Sequence, residues 1–292
     1  MSREDREARE GSEAHEDREA AAGSATAEPS PQALCEIAVR AARGAGALLL
    51  ERFQGGEQQG VMSKSTPTDL VSEADLAAER AIRAMLAELR PEDGFLGEES
   101  GGESGSSGLR WVVDPLDGTV NFLFGIPQWC VSVAVRDEEG SLAGAIYDPC
   151  RGELFTAVRG EAPKLKGPSG ERALTSPLRD ELSTAMVTTG LAYDARVRAA
   201  QAKVLARLIP HVRDIRRFGS AALDLAWTAA GRFDAYFERT VKPWDIAAGT
   251  LICEGAGLAV LELPEREDLP WGILVAPPAL CAPLLEFVDS AD

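Results

Sequence analysis

Apolar residues recur with helical spacing at Leu34, Ile37, Ala38, Ala41, Ala45, Leu48 and Leu49, predicting a helix in which Gly44 and Gly46 are weak points. Residues 61–71 read as extended and loop-like around Pro67. Ser72 then opens a second helix, with Asp75 three residues on taking the place of the usual capping-box Glu. Leu76, Ile82, Met85, Leu86 and Leu89 supply its apolar stripe, and Pro91 stops it. A strand-like Gly94–Leu96 follows, then residues 101–108 (GGESGSSG), expected to be a flexible loop. Apolar runs predict strands at Trp111–Val113, Val131–Val135, Gly144–Tyr147 and Glu153–Ala157, with a turn-rich hairpin region through Gly170.

The second half alternates differently. Strand patterns at Met186–Thr188, Phe233–Glu238, Leu258–Leu263 and Gly272–Val275 are interleaved with helical patterns at Val197–Ile209, Ser220–Ala230, Ile246–Glu254 and Ala279–Phe287. This order predicts an α/β (α+β) chain of layered sheets with intervening helices, in two lobes that divide near residue 180.

Composition sharpens this picture mainly at the N-terminus. The 292-residue chain carries a formal charge of -17, of which residues 1–31 hold nine acidic residues against four arginines. That stretch has no Val, Ile, Leu, Phe, Trp, Tyr or Cys, so it cannot bury enough apolar surface to offset its ordering entropy. It is expected to be a disordered acidic tail, with the folded domain spanning 32–292. It lacks the apolar core of a secretory signal and is too acidic for a transit peptide. No apolar run reaches the ~20 residues of a membrane span, and the acidity argues against nucleic acid or anionic membrane as partners.

Five widely spaced cysteines without a CxxC argue against a disulfide framework or zinc site and point to a reducing, cytoplasmic setting. Only His15 and His211 are available, the first in the tail and the second after a proline, where it reads as structural or exposed. A mechanism built on histidine is therefore disfavoured.

The informative feature is a set of carboxylates where apolar elements end: Asp75, Glu98, the pair Asp114 and Asp117 flanking Pro115-Leu116, and Asp245 after Pro243-Trp244. Singly, such residues cap helices and form turns. If Glu98, Asp114, Asp117 and Asp245 converge, each pair at ~5 Å repels by about 3 kcal/mol at an effective dielectric near 20. Such a cluster persists protonated or filled by cations, and all-oxygen ligands without His or Cys favour Mg²⁺ over Zn²⁺. Pro115 breaks regular structure between the two aspartates and leaves the Leu116 carbonyl free to turn inward as a further ligand. Gly118 and Thr119 follow with two backbone N–H groups at an expected helix start, a phosphate-binding arrangement. Metals beside an anion cradle, with no strong nucleophile, point to hydrolysis by metal-activated water.

Two rival phosphatase patterns fail. Cys130 and Arg136 have the spacing of thiol phosphatases, but the Val-x-Val-x-Val alternation between them is a strand rather than a phosphate loop. Asp117-Gly118-Thr119 is similar to the aspartyl-phosphate motif, but Asp114 lies three residues away where a spacing of two is needed.

The segments Asp69-Leu-Val-Ser-Glu-Ala-Asp75, Gly97-Glu-Glu-Ser100, Trp111-Val-Val-Asp-Pro-Leu-Asp-Gly-Thr-Val-Asn-Phe122 and Trp244-Asp-Ile-Ala-Ala-Gly249 resemble, in order and spacing, the inositol monophosphatase family of Mg²⁺-dependent, lithium-sensitive phosphatases. The resemblance implies a layered α-β-α-β-α sandwich, usually dimeric, like that of fructose-1,6-bisphosphatase. It implies that Glu98, Asp114, the Leu116 carbonyl, Asp117 and Asp245 bind two or three Mg²⁺ ions. Asp75 and Thr119 would orient and deprotonate the attacking water, and Gly118 and Thr119 would bind phosphate. Glu238 would accept hydrogen bonds from substrate hydroxyls in a pocket lined by Gly219, Ser220 and Ala221. The expected substrate is a small phosphorylated polyol, inositol 1-phosphate first. Histidinol phosphate and sugar or nucleotide bisphosphates are the alternatives, the latter needing help from Arg216, Arg217, Arg239 or Lys242. A non-catalytic regulator of the same fold is the alternative of another class.

Overall fold

A computed structural model describes residues 29–55, 62–63, 70–176, 179–266 and 268–289, and Pro31–Asp292 forms one compact unit. The tail expected at 1–31 lies almost wholly outside the described residues, as do Pro67 and Asp69. The helix predicted from Leu34 is α1, Pro31–Gly55. Gly46 lets it lie directly on the sheet, because a Cβ there would stand 2.6 Å from the Tyr147 ring. Strands β1 (Met62–Ser63) and β2 (Leu70–Val71) form a short antiparallel pair. Helix α2, Glu73–Leu89, starts with the capping box foreseen: Ser72 accepts from the amides of Ala74 and Asp75 while the Asp75 carboxylate accepts from the Ser72 amide.

The larger sheet has eight strands, β3 (Gly94–Gly97), β4 (Gly101–Glu103), β5 (Arg110–Asp117), β6 (Cys130–Asp137), β7 (Gly140–Asp148), β8 (Glu153–Val158), β9 (Lys164–Gly167) and β10 (Gly170–Ala173). Their spatial order is β10-β9-β8-β7-β6-β5-β3-β4, so β3 and β5 are the parallel pair at one side of a run of hairpins. Two expectations are corrected here. Part of the loop expected at 101–108 is an edge strand, β4, whose glycines pair with β3. The strand through Trp111–Val113 also does not end at Asp114. Its ladder with β6 continues to the pair Asp117↔Cys130, with a break in register between Asp114 and Asp117. Proline lacks the N–H that a regular ladder requires, so the irregularity falls where Pro115 sits. The helix after it, α3 (Thr119–Leu123), is a single short turn.

Helix α4 (Ala195–Leu208), α5 (Ala221–Ala229), α6 (Pro243–Gly255) and α7 (Pro278–Val288) accompany the smaller sheet. Its strands are β11 (Met186–Thr189), β12 (Asp214–Arg216), β13 (Ala235–Arg239), β14 (Ala259–Leu263) and β15 (Gly272–Ala276), in the order β12-β11-β13-β15-β14. Strand alternation assigns each face. Along β5 and β6, Trp111, Val113, Val131, Val133 and Val135 pack with α1 and α2, whereas Val112, Cys130 and Ala134 pack against α5 and α6. The smaller sheet turns Tyr236, Ile273 and Val275 to that same middle helix layer, and Val187, Phe237 and Leu274 outward to α4 and α7. The result is the α-β-α-β-α sandwich. Gly144 permits the close approach of α6, since its Cβ would lie 3.1 Å from that of Ala248.

Candidate active site

The carboxyl end of β5, the starts of α5 and α6 and the end of β13 meet around a cleft of about 580 Å³. Ten of the twelve predicted site residues line it: Glu98, Asp114, Leu116, Asp117, Gly118, Thr119, Gly219, Ala221, Glu238 and Asp245. Asp75 lies behind the wall, fully buried, and reaches the cleft through Thr119, whose hydroxyl stands 2.9 Å from Asp75 Oδ1 and 3.1 Å from the Leu116 carbonyl. A hydroxyl has one proton to donate, so that proton is shared between two acceptors. Ser220 is buried beneath the cleft lining, its hydroxyl on Asp117.

Local structure explains each placement. Asp114 accepts from the Leu116 amide at 3.0 Å, an Asx turn that carries the chain across Pro115. Gly118 sits at φ 101°, and a Cβ there would come within 2.8 Å of the Gln128 carbonyl, so only glycine makes this turn. Asp245 is held in the first turn of α6 by the Lys242 amide at 2.7 Å.

The start of α5 grips Asp117. Ser220 Oγ donates at 2.7 Å, the Ala222 amide at 2.6 Å and the Ala221 amide at 3.3 Å. Ser220 and Ala221, expected in the substrate pocket, both donate to Asp117, and Ala221 also lines the cleft.

The electrostatics are those of an under-compensated acidic site. Burial, then repulsion from Glu98, Asp117 and Asp245, pushes Asp114 well above the usual carboxylate range. Asp245 is raised likewise by burial and Asp117. Asp117 is raised by burial to about 6, held back by its Ser220 and Ala222 hydrogen bonds. Glu238 is pushed by burial to about 7, against the hydrogen bond from Tyr236 Oη at 3.0 Å. Of the arginines and lysine expected to serve a second anionic group, Arg217 and Lys242 line the cleft. Arg216 pairs with Asp214 outside it, and Arg239 is buried in a structural role.

Among the described residues, no three acidic, cysteine or histidine side chains are gathered tightly enough to cage an ion by themselves. The donor set still fits a hard cation that keeps part of its water shell: carboxylates, one inward carbonyl and no sulfur or imidazole. The raised carboxyls supply the reason, because a bound cation would relieve the repulsion that now favours protonation. Cys130 lies on β6, as the strand reading of that segment predicts, and burial pushes its thiol far up.

Three residues that matter escaped the sequence reading. Asn121 Nδ2 donates to the carbonyls of Gln128 at 2.8 Å and Phe218 at 2.7 Å, tying α3 to the turn before α5. Tyr236 and Glu79 are the others. Asn121 and Glu79 fall inside or beside the motifs, so their position was a signal, but their partners are remote in sequence.

The chain matches the pattern of the Inositol monophosphatase family over residues 30–285. It is 45% identical over 233 residues to the inositol-1-monophosphatase of Mycobacterium leprae, covering 77% of this chain and 80% of that one. It is 42% identical over 226 residues to the Nus factor SuhB of Pasteurella multocida, covering 77% and 83%. Among solved structures, Mycobacterium tuberculosis SuhB superposes with a TM-score of 0.77 at 36% identity, over 91% of this chain and 99% of that one.

Proposed function

The chain belongs to the inositol monophosphatase family, and we propose on that premise that it is a Mg²⁺-dependent phosphatase hydrolysing inositol 1-phosphate to inositol and phosphate. The observation that carries this reading is the convergence of Asp114, Asp117 and Asp245 on one cleft beside the Asp75–Thr119 hydrogen bond. Mg²⁺, when bound by Glu98, Asp114, the Leu116 carbonyl, Asp117 and Asp245, would supply Lewis acidity toward the phosphate oxygens. Thr119 receives the attacking water's proton and passes its own to Asp75, whose buried carboxylate is the terminal base. The Gly118 and Thr119 amides hold a phosphate oxygen. As the water oxygen bonds to phosphorus, the ester P–O bond breaks and the leaving alkoxide takes a proton from solvent.

Glu238 lines the cleft and would accept hydrogen bonds from a hydroxylated leaving group, which favours a neutral polyol over a second phosphate. Arg217 and Lys242 keep bisphosphates as the alternative, and the acidic wall keeps histidinol phosphate. A panel of these esters with Mg²⁺ tests the assignment: inositol 1-phosphate should turn over fastest, and a clear preference for histidinol phosphate would replace it. A dimer is also proposed, its surface including the exposed Phe124 and Ile126 beside α3; light scattering reads the mass. The relatives named Nus factor SuhB motivate a second reading as a non-catalytic regulator, which predicts no turnover of any ester in the panel.

A further inference from the structure

Helix α2 carries two buried carboxylates one turn apart, Asp75 and Glu79, and only the first is used by the reaction proposed above. Glu79 is 3% exposed, and its Oε2 accepts from the Glu99 amide at 2.8 Å. The turn it grips is Gly97-Glu98-Glu99, which holds Glu98 at the cleft. Gly97 is part of the same fit: a Cβ there would lie 2.4 Å from Glu79 Oε2, so a side chain at 97 would displace the carboxylate. One turn further along the helix, Arg83 donates to Ser100 Oγ at 3.1 Å, pairs with Glu103 and lies over the Phe95 ring. Residues 79 and 83 thus fasten the whole β3–β4 turn to α2.

We propose that Glu79 is a positioning residue: by docking under the 97–99 turn it sets Glu98 in register with Asp75, using one rigid helix as the ruler. The sheet holds only the ends of this turn: β3 pairs with β5 up to Gly97↔Val113 and with β4 up to Gly97↔Gly101, and the Glu98 amide donates to the Val113 carbonyl at 3.2 Å, so residues 98–100 lie beyond both ladders. The backbone of Glu99 has its acceptor on α2, and i,i+4 spacing places Asp75 and Glu79 on the same helix face. The carboxylate that takes up the proton and the carboxylate of the metal site would then move together or not at all.

This inference rests on the metal-site reading only for Glu98's role, so its test has one arm that needs no metal. Amide exchange in metal-free protein should show Glu99 N–H protected in wild type and in Glu79→Gln, whose amide oxygen accepts the same bond, but at least tenfold faster exchanging in Glu79→Ala. Mg²⁺ binding by calorimetry should weaken by about 10- to 100-fold in Glu79→Ala, the range for losing an outer partner of a metal ligand, and stay within about threefold in Glu79→Gln. Gly97→Ala should weaken Mg²⁺ binding similarly, and the double variant Glu79→Ala/Gly97→Ala should lose less than the sum of the two, because truncating Glu79 removes the nearest atoms the new methyl would meet and leaves only its approach to the Phe95 ring. Unchanged Glu99 exchange in Glu79→Ala, equal loss in the Gln and Ala variants, or additive losses in the double variant would each overturn it. Wild-type protein that binds no Mg²⁺ would instead overturn the proposed function and leave the exchange arm to decide this one. If Glu79→Ala fails to fold, Gly97→Ala decides by the same two measurements.

Discussion

Glu238 and Arg239 are neighbours on β13 that point to opposite faces of one sheet, and their charges are treated in opposite ways. Arg239 is 2% exposed and donates from Nη1 to the carbonyls of Leu263, Pro264 and Pro270, and from Nη2 to the Val288 carbonyl and Asp289. Burial still lowers its pKa, offset by Asp289, and Nε lacks a partner. Glu238 has one close donor, Tyr236, and acidic neighbours. A charge that fastens chain segments is wrapped in acceptors, whereas Glu238, facing the cleft, has a single close donor and Asp117 beside it. Unsatisfied polarity is what a ligand can use.

The largest way to sharpen this contrast is to remove a cleft charge. Asp245→Asn should lower turnover of inositol 1-phosphate by at least about 10²-fold, the scale for losing one preorganised electrostatic group, with the melting temperature kept or raised; an unchanged rate would defeat the enzymatic reading. Removing the charge on the other face should act on the fold instead. Arg239→Met leaves five acceptors without their donor and should cost about 3–5 kcal/mol in denaturant unfolding, as for breaking a buried ion pair from one side. A loss below 1 kcal/mol would show that the wrapping is incidental.

The contrast also predicts a pH dependence. Cleft carboxyls with raised folded-state values bind protons that the unfolded chain has released, so stability falls as pH rises from the usual carboxylate range through about 6 for Asp117 and about 7 for Glu238. Metal-free protein should therefore melt higher near pH 5 than at pH 8, and Mg²⁺ should raise the melting temperature more at pH 8. Equal Mg²⁺ shifts at both values would contradict the assignment of Asp117 as a ligand. The smallest effect concerns Tyr236→Phe. Loss of one hydrogen bond to a charged acceptor, about 1.5–3 kcal/mol at most, should raise KM roughly tenfold with kcat little changed. Because Tyr236 holds the Glu238 value down, the pH below which KM rises should move upward in the variant; a fall in kcat alone would assign Tyr236 elsewhere.

What the sequence determined by itself was local. Periodicity, the Ser72 cap and the Pro and Gly stops placed the main helices and strands, because those signals act within a few residues. The motif segments also marked the carboxylates that meet in the cleft. Short polar edge strands such as β4 and β12 left no pattern to read, since pairing rather than side-chain burial makes them. The passage of β5 through Pro115 was decided by β6, which continues the ladder beyond the proline. Tertiary structure alone decided which way each polar side chain turned: Ser220 toward Asp117, Arg239 into the outer layer and Glu79 under the 97–99 turn. Those choices depend on partners up to 103 residues away. A buried charge takes the partner that packing brings within 3 Å, and no spacing in a single sequence records that distance.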